Sequence, residues 1–369
     1  MKRRFPSWAL AACLCMTPPL AAAQRALISA ESGKVSPLVE SVVNSFQLLL
    51  RDSSVIVLST DGDEQREMAK LAAFLKSRNV TEEGPQIMDS VRKQFRRDTT
   101  GFARPVWLSE HSAKGNACVL AVRQNEAGTH SALLSRKIGD TLISDQRLKR
   151  VDSEIAQASI VAHEMYHCYE YLRVSMTAFW TEALQSRLTY AMHRSESAAD
   201  AFAALYVLQN YDAVNTVRML MEFRRIGMLN SDVEHNTSQT VEHVLATSNN
   251  RMLSRMAPGR LVLLAEDIRN EKVMDEDTFV ALKKSSIEVT GAYINLLTER
   301  PGVNVPHEKA QLLGEKLALM DDAPQNVRMT AYVMNEISGS LHKIGAKAAT
   351  SSKYFRPLME RYARRPIPM

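Results

Sequence analysis

The chain has 369 residues, of which 45% are apolar and 24% are charged, a composition that excludes wholesale disorder and supports one large hydrophobic core or two moderate ones. The formal net charge is +5, and without the basic residues at 2–4 it is +2, which is too small to favour a nucleic-acid partner. No later run of about eighteen apolar residues occurs, so we expect no transmembrane segment in the mature chain.

The first residues have the pattern of an export signal. Basic residues at 2–4 precede an apolar stretch from Trp8 to Met16, and the small side chains that end at Ala23 predict cleavage before Gln24. We therefore expect a signal peptide over 1–23 and a mature protein that is periplasmic or secreted.

The cysteines leave two questions open. Leu-Ala-Ala-Cys at 10–13 also has the pattern of a lipoprotein processing box, which would anchor the protein through a lipid on Cys13. After cleavage before Gln24, Cys118 and Cys168 are the two cysteines that remain. In an oxidising compartment they could form a disulfide, but a separation of 50 residues is equally compatible with two buried thiols.

Residues 24–150 are predicted to form an α/β lobe. Helical spacing of apolar residues predicts helices over 37–51, 64–76 and 87–95. Runs of strand-forming residues predict strands over 54–59, 103–108 and 117–122, with short edge pieces at 132–135 and 141–144. We expect the strands over 103–108 and 117–122 to be neighbours in one sheet, because a single polar segment joins them.

Residues 151–369 are predicted to form a helical lobe. Apolar spacing and intervening breaks predict helices over 152–173, 176–193, 195–210, 212–228, 238–256, 275–298, 306–320 and 323–343. The predicted fold class is therefore α+β and mainly α, with a small mixed sheet before the helices. Because no Pro- or Gly-rich linker separates the two lobes, we expect one folded unit with a cleft where they join.

A candidate metal-binding motif lies on the first helix of the helical lobe. His163-Glu164-x-x-His167 stands in a stretch without Gly or Pro from Val151 to Arg173, so both histidines project from one helix face. Two imidazoles so placed can bind one zinc ion, and Glu164 can reach a water on the open coordination position. A polar helix face in solvent is the alternative interpretation of the histidine pair.

A third protein ligand is expected on a later helix. Glu196 and Asp200 are four residues apart, so one carboxylate can bind the metal while the other accepts the free N–H of a ligating histidine. The surrounding alanines would let two helices approach closely. His193 is an alternative third ligand, and a solvated helix start is an alternative role for the carboxylate pair.

Together, His-Glu-x-x-His at 163–167 and Glu-x-x-x-Asp at 196–200 resemble the gluzincin metallopeptidases, the thermolysin-like group of zincins. The resemblance covers roughly residues 155–205 and implies a zincin-like fold. It further implies that His163, His167 and Glu196 bind one zinc ion per chain and that Glu164 is the general base. By the same resemblance, Asp200 would orient His163.

Two further comparisons limit which group of metallopeptidases the sequence resembles. Ser195 stands before the glutamate, where thermolysin-like enzymes usually carry Asn, so no particular family is identified. The metzincin pattern is excluded, because Glu170 and Arg173 occupy the positions at which that pattern has a Gly and a third His.

Hydrolysis of a peptide bond also needs a donor, besides the metal, for the anionic tetrahedral intermediate. His235 is the candidate, because it follows the Glu196 helix as the corresponding histidine does in many gluzincins. A surface-loop histidine is the alternative interpretation, and His243 and Tyr190 are rival donors.

The sequence therefore favours an exported zinc-dependent metallopeptidase that acts on a peptide or protein substrate. One alternative is an extracytoplasmic helical binding protein that uses a zincin scaffold without catalysis. Another is a zinc amidase that acts on cell-wall peptides.

Overall fold

A computed structural model describes residues 27–50, 53–80, 83–96, 101–106, 116–125, 137–138, 141–142, 152–173, 188–227, 233–280 and 283. The predicted export signal and lipoprotein box, the strand piece at 132–135 and the helices over 306–320 and 323–343 lie outside the described residues. Within the described ranges, no helix combines the length and the apolar character needed to cross a membrane.

A three-stranded mixed sheet forms the β part of the fold. Its strands are β1 (Ser54–Ser59), β2 (Gly101–Val106) and β3 (Ala117–Val122), in the spatial order β1-β3-β2. The central strand β3 is parallel to β1 and antiparallel to β2, so the two strands predicted as neighbours are confirmed as neighbours. A separate antiparallel pair consists of β4 (Lys137–Ile138) and β5 (Thr141–Leu142).

Three α-helices accompany this sheet: α1 (Pro37–Ser45), α2 (Glu64–Ser77) and α3 (Gly84–Arg96). The side chains of Ser36 and Asp63 cap α1 and α2, because each accepts a hydrogen bond from a backbone N–H of the first turn. Helix α1 ends at Ser45, before the predicted end at 51. The N–H groups of Phe46 and Gln47 bond to carbonyls three residues back, a tighter pattern that terminates an α-helix.

The described residues after 151 contain six α-helices. They are α4 (Ser153–Arg173), α5 (Leu188–Tyr211), α6 (Val214–Gly227), α7 (Ser238–Thr247), α8 (Asn250–Leu253) and α9 (Pro258–Lys272). Residues 276–280 are also helical. The described fold is thus mainly helical with a small mixed sheet, which agrees with the predicted α+β, mainly α class.

The predicted helices of this part are wrong in three places. The break predicted at residue 194 does not exist, because His193-Arg194-Ser195 contains no helix breaker and α5 continues through it. The helix predicted over 238–256 is divided at Asn249, whose side chain caps α8. Helix α9 has no counterpart in the prediction. The dipeptide Pro258-Gly259 is typical of a turn, but proline also suits the first position of a helix.

Alternate residues of β3 face two different hydrophobic clusters. Cys118, Leu120 and Val122 pack with residues of α1, α4 and α5, whereas Val119 and Ala121 pack with residues of α2 and α3. Strand β3 is therefore buried along its whole length, as a strand covered on both faces should be. Helix α4, which carries the motif, lies directly against this sheet.

Helix α5 packs against α4 through small side chains. Ala199 and Ala203 lie on the same side of α5 as Glu196, and both are fully buried. Because a methyl group extends little beyond the helix backbone, these two positions let the helices approach closely. This contact brings residues of α5 to the histidines of α4.

A disulfide joins the sheet to the motif helix. Cys118 of β3 and Cys168 of α4 are bonded, with their Cα atoms 5.7 Å apart. The pairing that the sequence left open is thus present in the structure. The bond lies one residue beyond His167, so it anchors the motif helix next to a candidate ligand.

Replacing both cysteines, Cys118→Ala with Cys168→Ala, should lower the free energy of unfolding. The disulfide closes a loop of 50 residues, and the entropy of closing such a loop in the unfolded chain corresponds to about 4 kcal/mol. Chemical denaturation of the metal-free protein, followed by circular dichroism, measures the difference. An unchanged denaturation midpoint would contradict a disulfide at this position.

Candidate metal centre

Helix α4 presents two histidines side by side. The Nε2 atoms of His163 and His167 are 3.1 Å apart, because residues four apart lie above one another on a helix. The two residues are 8% and 5% exposed, so the pair is buried and is not a polar helix face in solvent. Two ring nitrogens this close to each other can bind one metal ion when both carry a lone pair.

Glu196 of α5 completes a group of three potential ligands. Its Oε2 is 3.1 Å from His163 Nε2, and its Oε1 is 3.3 Å from His167 Nε2. One donor atom from each of the three residues lies within 4.8 Å of the other two. The predicted ligands thus meet, and the group could hold a metal ion.

The charge state of Glu196 fits a cation at this position. Burial opposes its ionisation, but the nearby His235 and His167 and the hydrogen bonds from the ligand histidines outweigh burial, and the pKa of Glu196 is well below its usual range. Its Oε2 atom is buried and lies 3.1 Å from His163 Nε2 and 3.3 Å from His235 Nε2. A buried, ionised carboxylate in these surroundings could bind a cation.

Asp200 holds the other side of the His163 ring. Its Oδ1 is 2.8 Å from His163 Nδ1, so His163 can donate its Nδ1–H to Asp200 and keep the Nε2 lone pair for a metal. Arg224 of α6 donates two hydrogen bonds to this carboxylate, of 2.6 and 2.7 Å, and the Thr237 hydroxyl donates another. Burial opposes the ionisation of Asp200, but Arg224 and His163 outweigh it, so the pKa of Asp200 is lowered.

Glu164 lies between the ligand group and the edge strand β2. A Cβ atom added to Gly101, the first residue of β2, would lie 2.8 Å from Glu164 Cγ and 3.0 Å from its Oε1. Gly101 therefore leaves space for the Glu164 side chain that any other residue would occupy. Burial raises the pKa of Glu164, which makes its carboxyl group a better proton acceptor than an exposed one.

His235 also reaches the ligand group. Its Nε2 is 3.3 Å from Glu196 Oε2, and its side chain is 33% exposed, so it is the most open of the histidines around Glu196. The segment that carries it lies before α7, and its neighbour Thr237 bonds to Asp200. His235 thus lies where the ligand group meets solvent.

The rival residues have other partners. His193 is buried, its Nδ1 is 3.0 Å from the backbone carbonyl of Glu234, and its ring stacks on Phe279, so it supports the segment before His235 and is not part of the ligand group. Tyr190 donates its hydroxyl to the carbonyl of Met274 at 3.0 Å. His243 lies on α7 outside the ligand group formed by the described residues.

No protein-family model, curated protein or solved structure matches this chain.

Replacing Glu196 with Ala should weaken zinc binding by more than about 100-fold. A direct ligand contributes more than an outer hydrogen-bond partner, whose loss typically costs 10- to 100-fold. His163→Ala should have a similar effect, because it removes a second ligand of the same ion. Competition with a chromophoric chelator measures the dissociation constant.

Glu154→Ala is the matched control, because Glu154 is an exposed carboxylate on the same helix as the histidines. Its zinc affinity should equal that of the unmodified protein. Full zinc occupancy in Glu196→Ala would contradict the assignment of Glu196 as a ligand.

Proposed function

We propose that the protein is an exported zinc-dependent metallopeptidase with a zincin-like site. The observation that carries the proposal is the meeting of His163, His167 and Glu196, with Glu164 next to them on α4. Two imidazole nitrogens and one carboxylate oxygen are a ligand set used by catalytic zinc, whereas structural zinc sites usually have four protein ligands. Three ligands leave a position for a reacting group.

The position of β2 supports a peptide as substrate. Within the described sheet β2 is an edge strand, and α4 packs against it. An edge strand has free backbone N–H and C=O groups that can pair with an extended peptide. A peptide bound along β2 would pass Gly101, against which the Glu164 side chain packs.

The residues of the site can be assigned roles in hydrolysis. A zinc ion bound here would supply a water of lowered pKa and polarise the scissile carbonyl. Glu164 accepts the proton of the attacking water and delivers it to the leaving nitrogen. His235 donates a hydrogen bond to the anionic oxygen of the tetrahedral intermediate. Asp200 accepts the Nδ1–H of His163 and so orients the ring with Nε2 toward the metal position.

Glu164→Gln should retain zinc and lose hydrolysis. The amide is similar in shape to the carboxylate but cannot accept the proton, and a general base typically contributes about 100- to 10,000-fold to the rate. Zinc stoichiometry and turnover of a quenched-fluorescence peptide library measure the two effects.

Glu154→Gln serves as the control, since this exposed residue of α4 has no contact with the ligand group. Unchanged turnover in Glu164→Gln would refute the proposed mechanism. Hydrolysis confined to cell-wall peptides would identify the amidase, and a zinc-loaded protein without any hydrolysis would identify the binding protein.

His235→Ala should lower kcat by about 100- to 1,000-fold, the usual effect of removing one donor to an anionic intermediate. Zinc affinity should stay within a factor of a few, because His235 is not one of the three ligands. Steady-state kinetics and chelator competition on the same preparation separate these effects. A large loss of zinc affinity would instead make His235 a fourth ligand.

A further inference from the structure

The Nδ1 side of His167 has a different partner from that of His163. His167 Nδ1 is 3.1 Å from the hydroxyl oxygen of Ser195, the residue before the ligand Glu196. The Ser195 hydroxyl in turn donates a hydrogen bond to Glu170 Oε2, and this carboxylate oxygen is 3.9 Å from His167 Nδ1. Ser195 therefore lies between His167 and Glu170.

The chemistry of these groups sets the direction of the hydrogen bonds. An ionised carboxylate can only accept, so the Ser195 hydroxyl uses its one proton toward Glu170. The Ser195 oxygen then accepts the Nδ1–H of His167. In the neutral ring this arrangement places the one proton on Nδ1 and directs the lone pair of Nε2 toward His163 and Glu196.

Glu170 is held between Ser195 and an arginine of another helix. Arg269 of α9 places its Nη1 3.5 Å from Glu170 Oε1, the oxygen that does not bond to Ser195. Glu170 lies on the Nδ1 side of the His167 ring and is not part of the three-residue ligand group.

We propose that Glu170 is a positioning residue that acts through Ser195 to fix the tautomer and the ring orientation of His167 for metal binding. Arg269 holds Glu170 in place for this role. The inference rests on the metal site of the proposed function but not on peptide hydrolysis. Each ligand histidine is then oriented by a carboxylate that is paired with an arginine: Asp200 with Arg224 for His163, and Glu170 with Arg269 for His167.

A double-mutant cycle on zinc affinity tests this relay of hydrogen bonds from Glu170 through Ser195 to His167. Glu170→Ala and Ser195→Ala should each weaken zinc binding about 10- to 100-fold, the usual cost of losing an outer hydrogen-bond partner. Because the two residues act in series, removing both should cost no more zinc affinity than removing one. The double variant should therefore have the affinity of whichever single variant binds zinc less tightly. Multiplicative losses or unchanged affinities would overturn the relay.

A spectroscopic measurement distinguishes the relay from a general loss of structure. In the cobalt-substituted protein the Nδ1–H protons of the two ligand histidines give separate, paramagnetically shifted signals, and a hydrogen-bonded proton exchanges slowly with solvent. Glu170→Ala and Ser195→Ala should speed the exchange of one signal and leave the signal of the Asp200-bonded His163 unchanged. Equal effects on both signals would overturn the relay.

Glu266→Ala is the control, because Glu266 forms a 2.6 Å ion pair with Arg173 across the same two helices without touching the relay. It should keep full zinc affinity. If Glu170→Ala does not fold, Ser195→Ala, which removes a single hydroxyl, carries the test. If the double-mutant cycle gives the expected zinc affinities but the protein has no peptidase activity, the proposed hydrolysis is refuted and the relay stands. If the unmodified protein does not bind zinc, the proposed function and the relay are both overturned.

Discussion

The packing of α5 against α4 is the interaction on which the rest of the site depends. The motif on α4 provides two candidate ligands, and Glu196 reaches them because the buried Ala199 and Ala203 let the two helices lie close together. The same contact brings Asp200 to His163 and Ser195 to His167. A larger side chain at these alanines would separate the helices, and the ligand group and both orienting contacts would be lost together.

The charges around this contact are compatible with a bound metal ion. Among the described residues, Glu170, Glu196 and Asp200 have lowered pKa values although burial opposes their ionisation. Arg224 and Arg269 pair with two of these carboxylates. Glu196 instead faces His163, His167 and His235, whose Nε2 atoms lie 3.1 to 3.3 Å from its carboxylate oxygens. The fold thus places a buried, ionised carboxylate among three histidines, where a metal ion could be held.

Contacts within one helix could be predicted from the sequence, and contacts between distant helices could not. The spacing of His163 and His167, and that of Glu196 and Asp200, follows from the period of an α-helix. Arg224 and Arg269 lie on α6 and α9, and nothing local marks either arginine as a partner of a site carboxylate. The sequence did not identify Gly101 as a residue of the site, because its role depends on β2 lying next to Glu164 in the folded protein. The break predicted at residue 194 separated His193 from Ser195, although both lie on the continuous α5.

The anchoring of α4 implies that the ligand geometry exists before a metal binds. The Cys118–Cys168 disulfide holds α4 on the central strand directly after His167, and α5 holds it through the alanine contact. Each histidine ring is then fixed through its Nδ1 atom by partners that do not depend on the ion. Since the side chains lose little further freedom on binding, most of the interaction energy with the ion contributes to affinity. Because disulfides form and persist in oxidising compartments, this bond agrees with the proposed export of the protein.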